Sequence, residues 1–332
     1  MTDTPTVPLP EKETRLQHRG IAVVALLLLG LFGLTWLIEY MQVDLRASRW
    51  AYSKSETWPL GHLQPWQWLL DYGTIPGFIS TLLALLGWYM AQRWKHWYAW
   101  RRYLLVYGLV SVIGAGIFVN AILKEHSGRP RPREVIQFGG VWKYLPAMEF
   151  GTPGKGRSFP CGHCTMGFLF SAGIVFWQRS RLLSLAMLSG GLIYGSMISV
   201  GRLLQGGHFV SDALWSLGVL WVTLALLYYF VFRPPISENQ PYAPLKPVQQ
   251  RWLLLGLMLF LGILSVLYIT RRPFYQDYRQ EFYVPERTRT LTLRTNLEED
   301  KVVLKTSSSS RGEVYIEGRG FALPDANFLV EF

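Results

Sequence analysis

Long apolar runs separated by short polar stretches set the texture of this chain. Six of the runs approach the length that a helix needs to cross a bilayer, roughly 20 residues: 21–38, 75–90, 103–123, 182–200, 213–232 and 252–269. A seventh, 165–177, is short, and spans only if its helix begins near His163. Its neighbours need it, because without it they have the wrong parity. The first run continues into Glu39-Tyr40 with no small-x-small cleavage pattern, so a retained anchor is expected instead of a removed leader.

The polar stretches divide into kinds. Residues 1–20 are polar and contain prolines, and read as a disordered cytoplasmic terminus. The segment 41–72 is rich in Trp and Tyr, as suits chain lying in a membrane interface. Prolines without apolar period mark 233–251 as a cytoplasmic linker. After Arg271-Arg272 the pattern alternates, with short β-prone pieces at 288–295, 302–306 and 313–317. The expected fold class is therefore an all-α polytopic membrane protein. Six spans over 21–232 form the core, 252–270 adds a seventh helix, and 271–332 is a small β-rich extracytoplasmic tail.

Composition agrees with this class. Half of the 332 residues are hydrophobic, too many for an ordinary soluble domain. The net charge of +11 raises nucleic acid as a partner. The cations, however, divide between membrane-flanking loops and one loop system, with no basic stripe interleaved with aromatics, so anionic lipid is the expected partner and nucleic acid is not. Arg93, Lys95, Arg101 and Arg102 crowd one loop and Arg179 with Arg181 another, which sets both in the cytoplasm. The loops after 123, 157 and 202 then face outward, as expected for a protein of the inner membrane.

Those outward loops carry the chemistry. Attack on a phosphate ester needs cations for the anion, a nucleophile, and a proton donor for the leaving oxygen. Lys124 ends the third run, and Pro130 and Pro132 stop that helix so that Arg131 can fold back beside it. Arg129 is an alternative to Arg131, since one loop cannot easily aim both at one phosphate. Pro160-Cys161-Gly162-His163 opens the short run, where unpaired N–H groups favour an anion and Gly162 permits close approach. A histidine there can equally be a cap or a surface residue. His208 and Asp212 stand four apart, on one helix face. The carboxylate can hold one imidazole N–H and leave the other nitrogen to attack, or the pair can merely satisfy itself.

Lysine, six residues, Arg-Pro; Pro-x-Gly-His; Arg, five residues, His, three residues, Asp: in this order and spacing the chain resembles the type 2 phosphatidic acid phosphatase family, whose site is shared with vanadium haloperoxidases. The resemblance covers about 103–232. It implies a six-span core with an outward pocket and hydrolysis of a lipid phosphate monoester or pyrophosphate. Candidate substrates are lipid A, undecaprenyl pyrophosphate, phosphatidylglycerol phosphate and phosphatidic acid. It implies His208 as the nucleophile that forms a phosphohistidine, Asp212 as its orienting partner and His163 as general acid. Lys124, Arg131, Arg202, Cys161 and Gly162 are the implied phosphate-binding set, and the scheme needs no cofactor or metal.

The chain departs from the family pattern at Cys161 and Gly201, both usually Ser. The first change removes a hydroxyl donor but leaves a backbone N–H. One neutral hydrogen bond is worth about 0.5–1.5 kcal/mol, so a weakened site is expected, not a dead one. Three alternatives stand beside hydrolysis. A phosphotransferase would use the same site, a weakened lipid-phosphate binder would keep only its cations, and Cys161-Gly162-His163-Cys164 also resembles the redox motif of protein disulfide isomerases. An apolar run directly after that motif argues against the last. The two cysteines are read as small buried residues, with a disulfide as the other possibility in an oxidising compartment.

Overall fold

The computed structural model describes residues 11–234 apart from 54 and 56, scattered positions between 246 and 262, and the backbone of three strands within 272–322. Helix α1 (Glu11–Tyr40) opens the bundle. Its first turns correct the expectation of disorder through residue 20. Glu, Lys, Gln and Arg are good helix formers, and Glu13 pairs with Arg233 at 3.6 Å. The expected disorder of 1–10 falls outside the described residues, as do most of the 233–251 linker and the seventh span, 252–270.

Gln42, in the left-handed region (φ 52°), turns the chain into α2 (Val43–Ala51). Then follow α3 (Trp66–Tyr72), α4 (Ile75–Ala91) and α5 (Arg101–Leu109). The last continues as a π-helical stretch, Val110–Leu123, into α6 (Lys124–His126). Beyond the loops come α7 (Gly162–Phe168), α8 (Arg181–Leu204) and α9 (Val210–Leu226). Five of these helices or helical runs are long and apolar enough to cross a membrane: Glu13–Tyr40, Trp66–Ala91, Tyr98–His126, Arg181–Leu204 and Val210–Phe232. Each contains one of the expected core runs.

The short run is the sixth member of the core. After α7 it tightens into a 3₁₀ helix, Leu169–Gln178. A 3₁₀ helix rises about 2.0 Å per residue against 1.5 Å, so the whole segment reaches about 30 Å, the thickness of a hydrocarbon core. Winding thus offsets the missing residues.

Leu26, Leu29, Leu82 and Leu182 are more than half exposed, the aspect expected of side chains that meet lipid. Inside, Tyr103, Val106, Val110, Leu169, Ala172, Ile198 and Leu220 form the packed centre. Polar cross-links join the spans where water cannot. Tyr107 bonds Ser80 at 3.1 Å, Trp221 bonds Ser171 at 2.9 Å, and Trp215 bonds Thr35 at 3.0 Å. The carboxy-terminal strands β1 (Arg272–Tyr283), β2 (Lys301–Lys305) and β3 (Arg311–Ala322) form an antiparallel sheet in the order β1-β3-β2.

Candidate active site

The alternation of the spans brings four element ends to one end of the bundle. Lys124 closes the third span and Arg202 lies in the last turn of α8, while His163 and Asp212 stand in the first turns of α7 and α9. Arg131 joins them from the loop after α6, and His208 from the connection between α8 and α9.

Close packing shows how tightly these stretches meet. A Cβ on Gly162 would lie 2.5 Å from Asn120 Oδ1 and 3.4 Å from Lys124 Nζ. One on Gly207 would lie 2.5 Å from Arg202 Nη2. Glycine at both places therefore lets backbone approach a cation. Lys124 lies within electrostatic reach of Arg131, Arg157 and Arg202. His163 feels Arg202, Lys124 and Arg131 and is hydrogen-bonded to the backbone of Leu70 on α3. His208 in turn feels Arg202 and Lys124, so three cations and two imidazoles lie within electrostatic reach of one another.

Their hydrogen bonding is incomplete. Arg131 Nε and Arg202 Nε are buried with no protein partner, and Arg202 has given Nη1 to Gln205 Oε1 at 2.7 Å. Burial, together with Arg133 and Arg157 and against Glu134, lowers the pKa of Arg131. Cations crowded this way favour an anion among them.

His208 is held differently. Its Nδ1 lies 2.6 Å from the carbonyl oxygen of Ser158 and 3.4 Å from Asp212 Oδ2. A carbonyl only accepts, so Nδ1 carries the proton and Nε2 keeps its lone pair. Burial holds the His208 pKa down to about 3, the hydrogen bond to Asp212 opposes this, and Arg202 adds to it. The ring is neutral at any ordinary pH. Asp212 therefore shares with Ser158 the orienting part that the spacing gave to it alone.

Asp212 is fully enclosed. Its Oδ2 accepts from Ser158 Oγ at 2.6 Å and from Phe209 N at 2.8 Å, and its Oδ1 accepts from Arg129 Nη1 at 2.5 Å. Arg129 also reaches Asp44 Oδ2 at 2.7 Å, Ser211 Oγ at 2.8 Å and the Leu145 carbonyl at 2.8 Å. Burial works against its charge, but Asp212 and Asp44 outweigh that and raise its pKa. Arg129 is thereby engaged within the protein, and Arg131 is the member of the pair that lies near the other cations.

Cys161 departs from expectation. It forms a disulfide with Cys164, Cα–Cα 5.3 Å, and both residues are fully buried. The reading as two separate buried thiols is thus corrected. The backbone N–H expected to meet phosphate is instead given to the Asp212 carbonyl at 3.3 Å, so neither donor group of Cys161 is directed at the cation cluster.

Ser158, Asn120 and Asp44 were not found from sequence. Ser158 lies just outside the Pro-x-Gly-His motif, and Asn120 one turn before Lys124. Asp44 had one signal, an acid at the bilayer edge beyond the first span, which is costly unless partnered. Among the described residues, no three His, Cys, Asp or Glu side chains are grouped as a metal site requires.

A sequence model of the PAP2 superfamily matches residues 103–235. The lipid A 4′-phosphatase of Francisella tularensis subsp. novicida is 32% identical over 168 residues, covering 48% of this chain and 73% of that protein. The lipid A 4′-phosphatase of Rhizobium etli is 32% identical over 133 residues, covering 40% of this chain and 48% of that protein. A solved PAP2-type phosphatidylglycerolphosphate phosphatase from Bacillus subtilis is 18% identical with a TM-score of 0.38, covering 67% of this chain and 99% of that one. With its three ordered motifs and a relative matched over most of its length, the chain belongs to the PAP2 superfamily.

Proposed function

We propose that this protein is a lipid phosphate phosphatase that removes a phosphate monoester from lipid A, acting at the extracytoplasmic face of the inner membrane. The observation that carries the reading is the set of cations Lys124, Arg131 and Arg202, the two arginines each with a buried unpaired Nε, gathered beside two histidines at one end of the helical bundle. The names of the curated relatives favour lipid A and its 4′ position over the other candidate lipids. Cationic loops at the opposite end, with Arg93, Lys95, Arg179 and Arg181, favour the outward face.

In the proposed reaction the three cations bind the phosphoryl oxygens. The lone pair on His208 Nε2 attacks phosphorus, and the phosphorus–oxygen bond to the lipid breaks. The leaving oxygen takes a proton from His163, which must be protonated on arrival. Water then attacks the phosphohistidine with His163 as base, releasing phosphate and returning His208 to its neutral form. Cationic stabilisation of the transferring group is the larger part of such catalysis. Ordering of His208 by Ser158 and Asp212 fixes the direction of attack.

The test is a panel of lipid A, undecaprenyl pyrophosphate, phosphatidylglycerol phosphate and phosphatidic acid offered to detergent-solubilised protein. Fastest phosphate release from lipid A, with an acid-labile phosphoenzyme absent in His208→Ala, is expected. Undiminished release by His208→Ala would refute the mechanism, and a preference for another lipid would refute the substrate. Lipid-to-lipid phosphate transfer without free phosphate would make the protein a phosphotransferase.

A further inference from the structure

Behind His208 lies a buried cluster that joins one motif residue to two side chains outside the motifs' fixed positions. Asp44, Arg129 and Asp212 are each no more than 1% exposed, and Arg129 bridges the two carboxylates, 2.7 Å from Asp44 and 2.5 Å from Asp212. Asp44 comes from α2, in the interfacial segment far from the motifs in sequence. It also accepts from Ser211 N at 2.9 Å, Ser211 Oγ at 2.5 Å and Tyr144 OH at 3.2 Å. Arg129 is further enclosed by the rings of Phe209, 4.6 Å from its centre, and Tyr144, 5.7 Å away. Nothing in this cluster is open to a ligand.

We propose that Asp44 is a positioning residue for phosphoryl transfer, acting through Arg129 so that the Asp212 carboxylate keeps its charge available to His208. The proposal rests on His208 as the nucleophile. Two carboxylates and one guanidinium leave the cluster one negative charge in excess behind a neutral imidazole. When Nε2 bonds phosphorus and the bond to the leaving oxygen breaks, the departing electron pair goes with that oxygen and is protonated. The imidazole keeps its Nδ1 proton and becomes cationic. The surplus negative charge then matches the positive charge that appears, with no movement of the cluster. Without Asp44, Arg129 and Asp212 would form a neutral pair and the new imidazolium would face no net countercharge. The short approach of Arg129 to Asp212 would persist, but its effect on the ring would be largely cancelled.

A helix-capping role is the simpler alternative, because Asp44 takes the Ser211 N–H in the first turn of α9. Asp44→Asn separates the two. The amide oxygen can still accept from Ser211 N, while the charge shared with Arg129 is gone. With purified bis-phosphorylated lipid A in mixed micelles, we expect Asp44→Asn to lower kcat and the rate of phosphoenzyme formation about 10- to 100-fold, with KM within about twofold and an unchanged elution profile. Asp44→Glu, which restores the charge, should recover turnover to within about tenfold of the parent. Wild-type kcat in a folded Asp44→Asn protein would overturn the proposal, as would a folded Asp44→Glu protein no better than Asp44→Asn. If Asp44→Asn does not fold, Asp44→Glu decides alone by the same criterion, and failure of both to fold makes Asp44 a structural cap and also overturns it. A silent wild type, or an active His208→Ala, takes down the proposed function itself. A normal wild type and dead His208→Ala beside an unaffected Asp44→Asn removes only this inference.

Discussion

Arg129 and Arg131 lie two residues apart on one loop, and they do opposite things. Every nitrogen of the Arg129 guanidinium has a protein partner, on Asp44, Asp212, Ser211 or Leu145. Arg131 is half-buried with Nε unpaired, among other cations. Each precedes a proline, which excludes the helical conformation and favours extended or polyproline geometry, and Arg131 has φ −78° and ψ 158°. In a polyproline turn of three residues, side chains two apart diverge by about a third of a turn. One cation is thus turned into the protein and the other toward Lys124 and Arg202. The lesson is that a buried charge with all its bonds made holds a structure, whereas one held short of partners is suited to an anion.

The sharpest way to break this contrast is to remove the two charges separately. Arg129→Met should strand Asp44 and Asp212, and loss of one partner from such a buried network costs about 3–5 kcal/mol. Folded yield and thermal midpoint in detergent should fall together with activity; a normally stable variant would show that the bridge is not structural. Arg131→Met should leave stability equal or slightly higher, while kcat/KM falls by about 10²–10³, the usual loss for one donor to transition-state charge. Equal activity would remove Arg131 from the pocket.

A smaller effect comes from His208. Its folded pKa of about 3 lies below the ordinary 6.5, so as pH falls the unfolded chain takes up the proton first. The stability due to its neutral form is whole above about pH 6.5 and is lost progressively toward the folded value. Between pH 7.5 and 5.5 this amounts to roughly 1 kcal/mol, seen as a falling thermal midpoint that His208→Gln should flatten. An equal slope in that variant would assign the loss to other groups. The smallest expected change is Cys161→Ser. The sulfur is turned to Cys164 and the N–H to Asp212, so turnover should stay within about threefold, and reductant should not change the wild-type rate. Complete loss in either experiment would give the cysteine pair a part of its own.

The spans and the cationic motifs were legible because each is local. An apolar run of spanning length has few alternatives in a bilayer, since every backbone group must be satisfied within the helix, and the fixed intervals between Arg202, His208 and Asp212 follow from one helix end and one turn. The short run was legible only in part, because its 3₁₀ winding depends on how it packs against α8. Residues 11–20 were misread because their polarity conceals good helix formers.

By itself the sequence determined the membrane class, the core spans and the order and spacing of the cationic and histidine motifs. Only the tertiary structure decided that Arg131 and not Arg129 lies among the other cations, that Ser158 takes the His208 N–H, that the Cys161 N–H is already engaged, and that Asp44 pairs with Arg129 behind His208. The reason is that sequence fixes which groups exist and their spacing along one element. Whether a charge is spent on a partner or left for a ligand depends on distances between elements far apart in the chain, and electrostatic energy in a buried site turns on those distances.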